Sequence, residues 1–261
     1  MKILVIGASG FIGPHVVSEL LRLDHRVAVL DRGISAPLPQ PGITRITGDR
    51  NNLQASRNEI AQFGPEIVVD MILSSGKQAI ALMQTLQGIA RRVVAISSGD
   101  VYRACGILHG FEAGPLQALP LTEDSELRTS QDVYPLELIQ QLKQTFGWLD
   151  DAYDKIPVEK AVLSNAELAG TVLRVPMVYG PGDRLHRFWP YLKRMDDKRP
   201  AILIQEDVAH WRSPRGYVEN VAAAIALAAI DERASRRIYN VAEPESFSEE
   251  EWARKIASYV G

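Results

Sequence analysis

A regular exchange of segment types limits the folds open to this chain more than anything else in its sequence. Short β-branched runs read as strands: Lys2–Ile6, Arg26–Leu30, Ile43–Thr47, Glu66–Asp70, Arg92–Ser97 and Thr171–Val175. Helix-length stretches lie between most of them: Pro14–Leu23, Leu53–Phe63, Lys77–Ala90 and Val158–Leu168. Such alternation predicts an α/β fold with a doubly wound parallel sheet, covered by helices on both faces. The pattern loosens over Arg103–Asp132, rich in Gly, Pro and acidic residues, and over Pro176–Arg215, punctuated by prolines. It resumes with a helix at Val218–Ile230 and a strand at Arg237–Val241. The expected organisation is a main domain of residues 1–175, rejoined by about 215–242, and a small lobe of residues 176–214 and 243–261.

Gly7-Ala8-Ser9-Gly10-Phe11-Ile12-Gly13 directly follows the first strand and opens the first helix. A pyrophosphate must approach backbone N–H groups at a helix N-terminus, and side chains there would block it. Gly7 permits the tight turn, Gly10 the close approach and Gly13 the packing of helix on strand. This context makes the fold Rossmann-type. The second strand ends at Asp31, whose carboxylate can accept from the adenosine ribose hydroxyls and would repel a 2′-phosphate. That favours NAD over NADP. Arg32 beside it pulls the other way, since an arginine can pair with a 2′-phosphate.

Composition narrows the classes. With 29 basic and 32 acidic residues the net charge is −3, which argues against nucleic-acid or membrane-surface binding. The single cysteine, Cys105, excludes an internal disulfide and fits a reducing compartment. No stretch approaches the ~18 apolar residues a membrane helix needs. A cytoplasmic protein is expected. The histidines are scattered, with no paired spacing, so no catalytic metal is expected.

These motifs, with several later ones, resemble the extended short-chain dehydrogenase/reductase family in its NAD-dependent epimerase/dehydratase branch. Gly48-Asp49-Arg50 is similar to that branch's adenine-contacting turn, and Ser97-Ser98-Gly99-Asp100-Val101-Tyr102 to its serine-bearing motif. Leu173 to Gly182 resembles its sixth strand and nicotinamide-side loop. Arg215 to Ala222 and Ile238 to Val241 match later landmarks. The resemblance implies cofactor contacts from Ser9, Phe11, Ile12, Asp49, Arg50, Met71, Ile72, Ser97, Lys155, Pro176 and Val178, beside the three glycines, Asp31 and Arg32. It points to nucleotide-sugar substrates, contacted by Tyr102, Arg184, His186 and Arg215, and to a homodimer through the helices around Lys77–Ala90 and Val158–Leu168. Members usually continue past the point where this chain stops at Gly261, so either a reduced lobe or a truncated form is expected.

The family's chemistry uses a tyrosine to move a proton at the substrate hydroxyl, a nearby lysine that lowers its pKa, and a serine that holds the substrate oxygen. Ser98 matches the serine and Lys155 the lysine. The tyrosine position falls on Asp151, while Tyr153 stands only two residues before Lys155. In one helix those side chains would diverge by roughly 200°. Three arrangements stay open: a helix that starts near Asp154 and frees Tyr153 to turn toward Ser98; a pairing of Tyr153 with Lys160, about 10.5 Å along the axis; or Asp151 at the catalytic position with altered chemistry. Tyr153 could also be a packing residue alone. The expected function is hydride transfer on a nucleotide-sugar or similar hydroxylated small molecule. The alternatives are an NAD(P)-binding sensor or RNA-associated factor with a degraded site, and an NADP-dependent carbonyl reductase.

Overall fold

The computed structural model describes residues 1–34, 40–130 and 133–260. Its strands are β1 (Lys2–Ile6), β2 (Arg26–Asp31), β3 (Thr44–Thr47), β4 (Ile67–Asp70), β5 (Arg92–Ser98), β6 (Ala169–Val175), β7 (Met177–Tyr179), β8 (Arg215–Tyr217) and β9 (Ile238–Asn240). The helices are α1 (Gly13–Arg22), α2 (Arg57–Phe63), α3 (Gly76–Leu86), α4 (Arg103–Leu108), α5 (Leu136–Thr145), α6 (Lys155–Leu163), α7 (Trp189–Asp196), α8 (Glu206–His210), α9 (Val218–Ile230) and α10 (Glu249–Val260).

Seven strands form one parallel sheet in the order β3-β2-β1-β4-β5-β6-β9. The expected doubly wound architecture is what the chain builds. Strands buried on both faces need apolar residues at every position rather than at alternate ones. β1 shows why: Ile3 and Val5 pack under α1 and α9, while Leu4 and Ile6 pack under α3 and α6. The strand order reverses between β1 and β4, and a cleft opens outside the carboxyl ends of strands at such a point.

Several element boundaries differ from the sequence expectation, each for a local reason. The stretch expected as one helix over Leu53–Phe63 is a 3-10 turn, Arg50–Ser56, followed by α2. The Asp49 side chain accepts from the Asn51 amide and starts that turn early, and Asn52 is not helical. α6 begins at Lys155, three residues before the expected Val158, because the Asp154 carboxylate accepts from the Ile156 amide at 3.0 Å. Pro157 then lies in the first turn, where its missing N–H costs nothing. The irregular stretch after β5 carries α4 and a pinned loop. Glu112 accepts from the Thr129 and Ser130 amides, and the buried Arg128 guanidinium holds the Asp100 and Ser130 carbonyls. Part of that stretch, residues 131–132, lies outside the described residues.

Beside the sheet, the stretches expected as a small lobe carry β7, α7, α8 and α10, and β7 pairs in parallel with β8, which lies in the stretch expected to rejoin the main domain. The centre of the lobe is the Arg215 guanidinium, 5.2 Å from the Phe188 ring and 4.7 Å from the Trp252 ring, and ion-paired with Glu249. No described helix is long and apolar enough to cross a membrane.

Candidate active site

β1 delivers Gly7 to the sheet edge with φ +84°, a conformation L side chains rarely adopt. A Cβ on Gly13 would lie 2.5 Å from the Ala8 carbonyl oxygen, so only glycine lets α1 sit this close to the loop. Gly10 is different. The nearest atom to a Cβ there is the Gly7 carbonyl oxygen at 3.5 Å, so no packing demands glycine. A side chain at Gly10 would instead project into the cleft, which its backbone lines. No side chain caps the N-terminus of α1, and Pro14 stands in its first turn. This is a cradle shaped for a phosphate group on a helix N-terminus.

The cleft holds about 290 Å³. Its floor is the glycine loop with Phe11 and Ile12, and its far side is Met71 and Ile72. Asp31, Arg32, Asp49 and Arg50 line its outer end. Besides Asp49, which accepts from the Asn51 amide, Asp31 and Arg50 carry additional bonds. Asp31 Oδ1 accepts from the Gly33 amide at 2.6 Å and from Arg45 Nη2 at 2.8 Å. Arg50 turns inward, ion-paired with the fully buried Asp70 at 3.0 Å and donating to the Gln78 carbonyl. Its guanidinium therefore braces the site rather than reaching a ligand. Burial raises the Asp70 carboxyl above its ordinary range, and the Arg50 charge opposes that shift.

The sequence motifs did not mark the part of the cleft formed by Thr145, at the end of α5, and by Phe146, Gly147 and Trp148 in the link to α6; Asp183, Arg184, Leu185 and Arg187 line it as well. The aromatic pair flanking Gly147 was the available signal, but it sits in no recognisable pattern.

Ser98, Tyr153 and Lys155 lie farther along the same sheet edge, at the end of β5 and the start of α6. Tyr153 lies outside the helix, as one of the three arrangements required. Its hydroxyl reaches Asp100 Oδ2 at 3.5 Å, and a second tyrosine, Tyr134, donates to the same oxygen at 2.7 Å. The two rings meet edge to face with centroids 5.2 Å apart. Ser98 Oγ accepts from the Asp100 amide at 3.2 Å. Asp100 Oδ1 is buried and makes no hydrogen bond among the described residues. Burial first, then the Asp100 charge, pushes the Tyr153 hydroxyl well above its ordinary pKa, and the same causes raise Tyr134.

The Lys155 ammonium donates to the Leu73 and Ile96 carbonyls and stands 5.8 Å from the Tyr153 ring centroid. Burial pulls its pKa down to about 8, against the attraction of Asp100, Asp70 and Glu159. Asp151, at the family's tyrosine position, is exposed and ion-paired with Lys143 at 2.6 Å. Lys160 is likewise exposed, on a helix that Tyr153 does not join. Cys105 donates to the Gly99 carbonyl, and burial raises its thiol to about 11, so it is no thiolate.

Other expected site residues stand elsewhere. Tyr102 is 3% exposed, donates to Asn240 Oδ1 at 2.6 Å and accepts from Arg174. Ser97 donates to Glu159, which forms a buried ion pair with Arg174 at 2.8 Å. Arg215 is the centre of the small lobe and 2% exposed. Val178 is a core residue, and neither it nor Pro176 lines the cleft. His186 is exposed in a turn with φ +46°. Arg184 lies against the glycine loop, 3.4 Å from the Ser9 carbonyl oxygen, on the dinucleotide side of the molecule. For Tyr102, Ser97 and Arg215 the reason is that their polar groups satisfy buried partners, which a linear motif cannot reveal. Among the described residues no group of three or more His, Cys, Asp or Glu could hold a metal ion.

Comparison with known proteins places this geometry. The model of the NAD dependent epimerase/dehydratase family matches residues 3–98 and 152–242. The chain is similar to a 2′-dehydrokanamycin reductase of Streptomyces kanamyceticus, 29% identical over 123 residues, covering 47% of this chain and 32% of the relative. It is also similar to a 3-diazoavenalumate denitrifying reductase of a Streptomyces species, 28% identical over 191 residues, covering 70% and 58%. The aligned part thus spans under two thirds of either relative. Among solved structures, the Bordetella bronchiseptica enzyme WbmG in complex with NAD matches the whole chain and 78% of its own, with TM-score 0.72 and 16% identity. At that identity the likeness is one of fold.

Proposed function

The chain belongs to the NAD dependent epimerase/dehydratase family, and on that premise we propose an oxidoreductase that works on a hydroxylated or keto carbon of a small polar molecule. The cofactor of the family is NAD, and the cradle at Gly7, Gly10 and Gly13 fits its diphosphate. Bound nicotinamide supplies or accepts the hydride. One observation carries the proposal: Tyr153 and Tyr134 share the carboxylate of Asp100 immediately beyond Ser98.

Each group then has a task. Ser98 Oγ accepts from the Asp100 amide, so its own hydrogen is available to a substrate oxygen. Tyr153 holds its proton at neutral pH, because burial and Asp100 both disfavour the phenolate. A protonated phenol donates, which suits reduction of a carbonyl. The buried Lys155 ammonium stabilises the phenolate as it forms. In the oxidative direction the substrate proton passes to the tyrosine oxygen while the tyrosine's own proton moves to Asp100.

The substrate reading narrows with the lobe. Arg187 pairs with Asp183, Lys193 with Asp197, Arg212 with Glu251 and Arg215 with Glu249. These cations do not form the grip that a nucleotide-sugar diphosphate would need. A compact carbonyl or sugar-like substrate without a diphosphate suits the lobe better.

The second reading, a dinucleotide-binding protein without turnover, is favoured by the exposed Asp151 at the family's tyrosine position. Steady-state reduction of ketone panels with NADH, set beside oxidation of UDP- and dTDP-sugars, separates the two. Ser98→Ala and Tyr153→Phe should each lower kcat by ~10²-fold or more while NADH binding persists. NADH binding without turnover across both panels leaves the sensor reading standing and removes the enzymatic one.

A further inference from the structure

We propose that residues 145–150 form an adenine-binding strap, with Phe146 and Trp148 packing on the adenine of the bound dinucleotide. The inference rests on the dinucleotide reading above and adds a second binding wall to it. Three observations carry it. Both aromatic side chains are half-buried and line the cleft at the end that also holds Asp31, Arg32 and Asp49. The sheet order puts this end at β2 and β3, away from Ser98 and Lys155, so it takes the adenosine half. The rings are tilted by 50° with centroids 5.9 Å apart and do not stack on each other.

The strap is also anchored as a binding element should be. Its Trp148 carbonyl accepts from the buried Gln78 Nε2 at 3.0 Å, and the same Nε2 donates to Asn51 Oδ1 at 2.8 Å. Asn51 follows directly on the Asp49-Arg50 turn, so one side chain ties both adenine-end walls together. Beyond Trp148, the Asp150 amide donates to Ser74 Oγ and the Asp150 carboxylate accepts from Ser75 Oγ. Gly147 lies against Arg32: a Cβ there would meet the guanidinium at 3.4 Å. The strap therefore lies in contact range of the cationic edge of the cleft. An aromatic platform accepts any base, because every base presents a π-face.

The test uses the full chain with ADP-ribose, NMN and NADH as probes. Calorimetry should show wild-type binding of ADP-ribose, with Kd raised about tenfold or more in Phe146→Ala and Trp148→Ala. NMN affinity should stay unchanged in both. Stopped-flow release of NADH should be faster in both. Trp148→Phe, a milder change that keeps an aromatic face, should hold ADP-ribose much more tightly than Trp148→Ala does. ADP-ribose affinities within about twofold of wild type in both alanine variants would overturn the strap. So would an ADP-ribose affinity in Trp148→Phe as weak as in Trp148→Ala. Failure of the wild-type chain to bind ADP-ribose or NADH at all would instead remove the dinucleotide reading, and the strap with it.

Discussion

Lys155 gives the sharpest thermodynamic prediction, because it is a charged group held where water does not reach. Its pKa falls from 10.5 to about 8 in the folded chain, chiefly through burial. For a lysine with a depressed folded pKa the sign is the reverse of the usual paired case. Below pH 8 both states carry the proton and the folded state bears the full penalty. Between pH 8 and 10.5 the unfolded state binds more protons than the folded one, so stability rises with pH. Integrating that difference from pH 7 to pH 9.5 gives a gain of about 2 kcal/mol from this one residue. Other groups titrate in the same window, so the measurement is a comparison. Urea unfolding of wild type and Lys155→Met, at pH 7 and 9.5, isolates the lysine. Loss of the bonds to the Leu73 and Ile96 carbonyls adds an offset of ~1–3 kcal/mol that does not vary with pH. The wild-type minus variant difference should grow by about 2 kcal/mol between the two pH values. A difference that stays constant to within about 0.5 kcal/mol would refute a buried, depressed Lys155.

Other perturbations follow from the same structure. Gly13→Ala should abolish NADH binding and lower Tm, because its Cβ would meet the Ala8 carbonyl oxygen at 2.5 Å; a calorimetric titration and a melting curve read both. Asp154→Ala removes the cap of α6 and leaves the buried Arg128, 3.0 Å away, without its carboxylate. A loss of ~3–5 kcal/mol in denaturant unfolding is expected. Glu159→Ala strands the Arg174 charge in the same way and should cost a similar ~3–5 kcal/mol, whereas replacing both partners with methionine should recover much of it. Arg184→Ala should weaken NADH binding at low salt and flatten its salt dependence, which titrations at two ionic strengths would show.

The sheet was legible because its signals are local. A strand buried on both faces must be apolar throughout, and a helix that packs on it must repeat its apolar residues at helical spacing. Lys2–Ile6 and Val218–Ile230 carry those marks in a few residues each and appear where expected. The glycine cradle was legible for the same reason, since Gly7 and Gly13 answer to atoms nearby in the chain or just after β4. The polar site was not. Tyr102 and Arg174 are 72 residues apart and Ser97 and Glu159 are 62, so no window of sequence shows that these side chains satisfy one another. Tyr134 joins Asp100 across 34 residues, and nothing in its neighbourhood marks it as a partner of Tyr153. The start of α6 was the instructive case. One capping carboxylate, Asp154, starts α6 after Tyr153 and so leaves that residue outside the helix.

The Arg215 clamp gives the small lobe an interior of its own. Its aromatic and cationic centre shares little with the two aliphatic cores of the sheet, of which only the one under α1 and α9 includes Val178 and Val218. Two interiors that are assembled separately can be altered separately. Changes on the exposed faces of α7 and α8 should therefore leave dinucleotide affinity where it was.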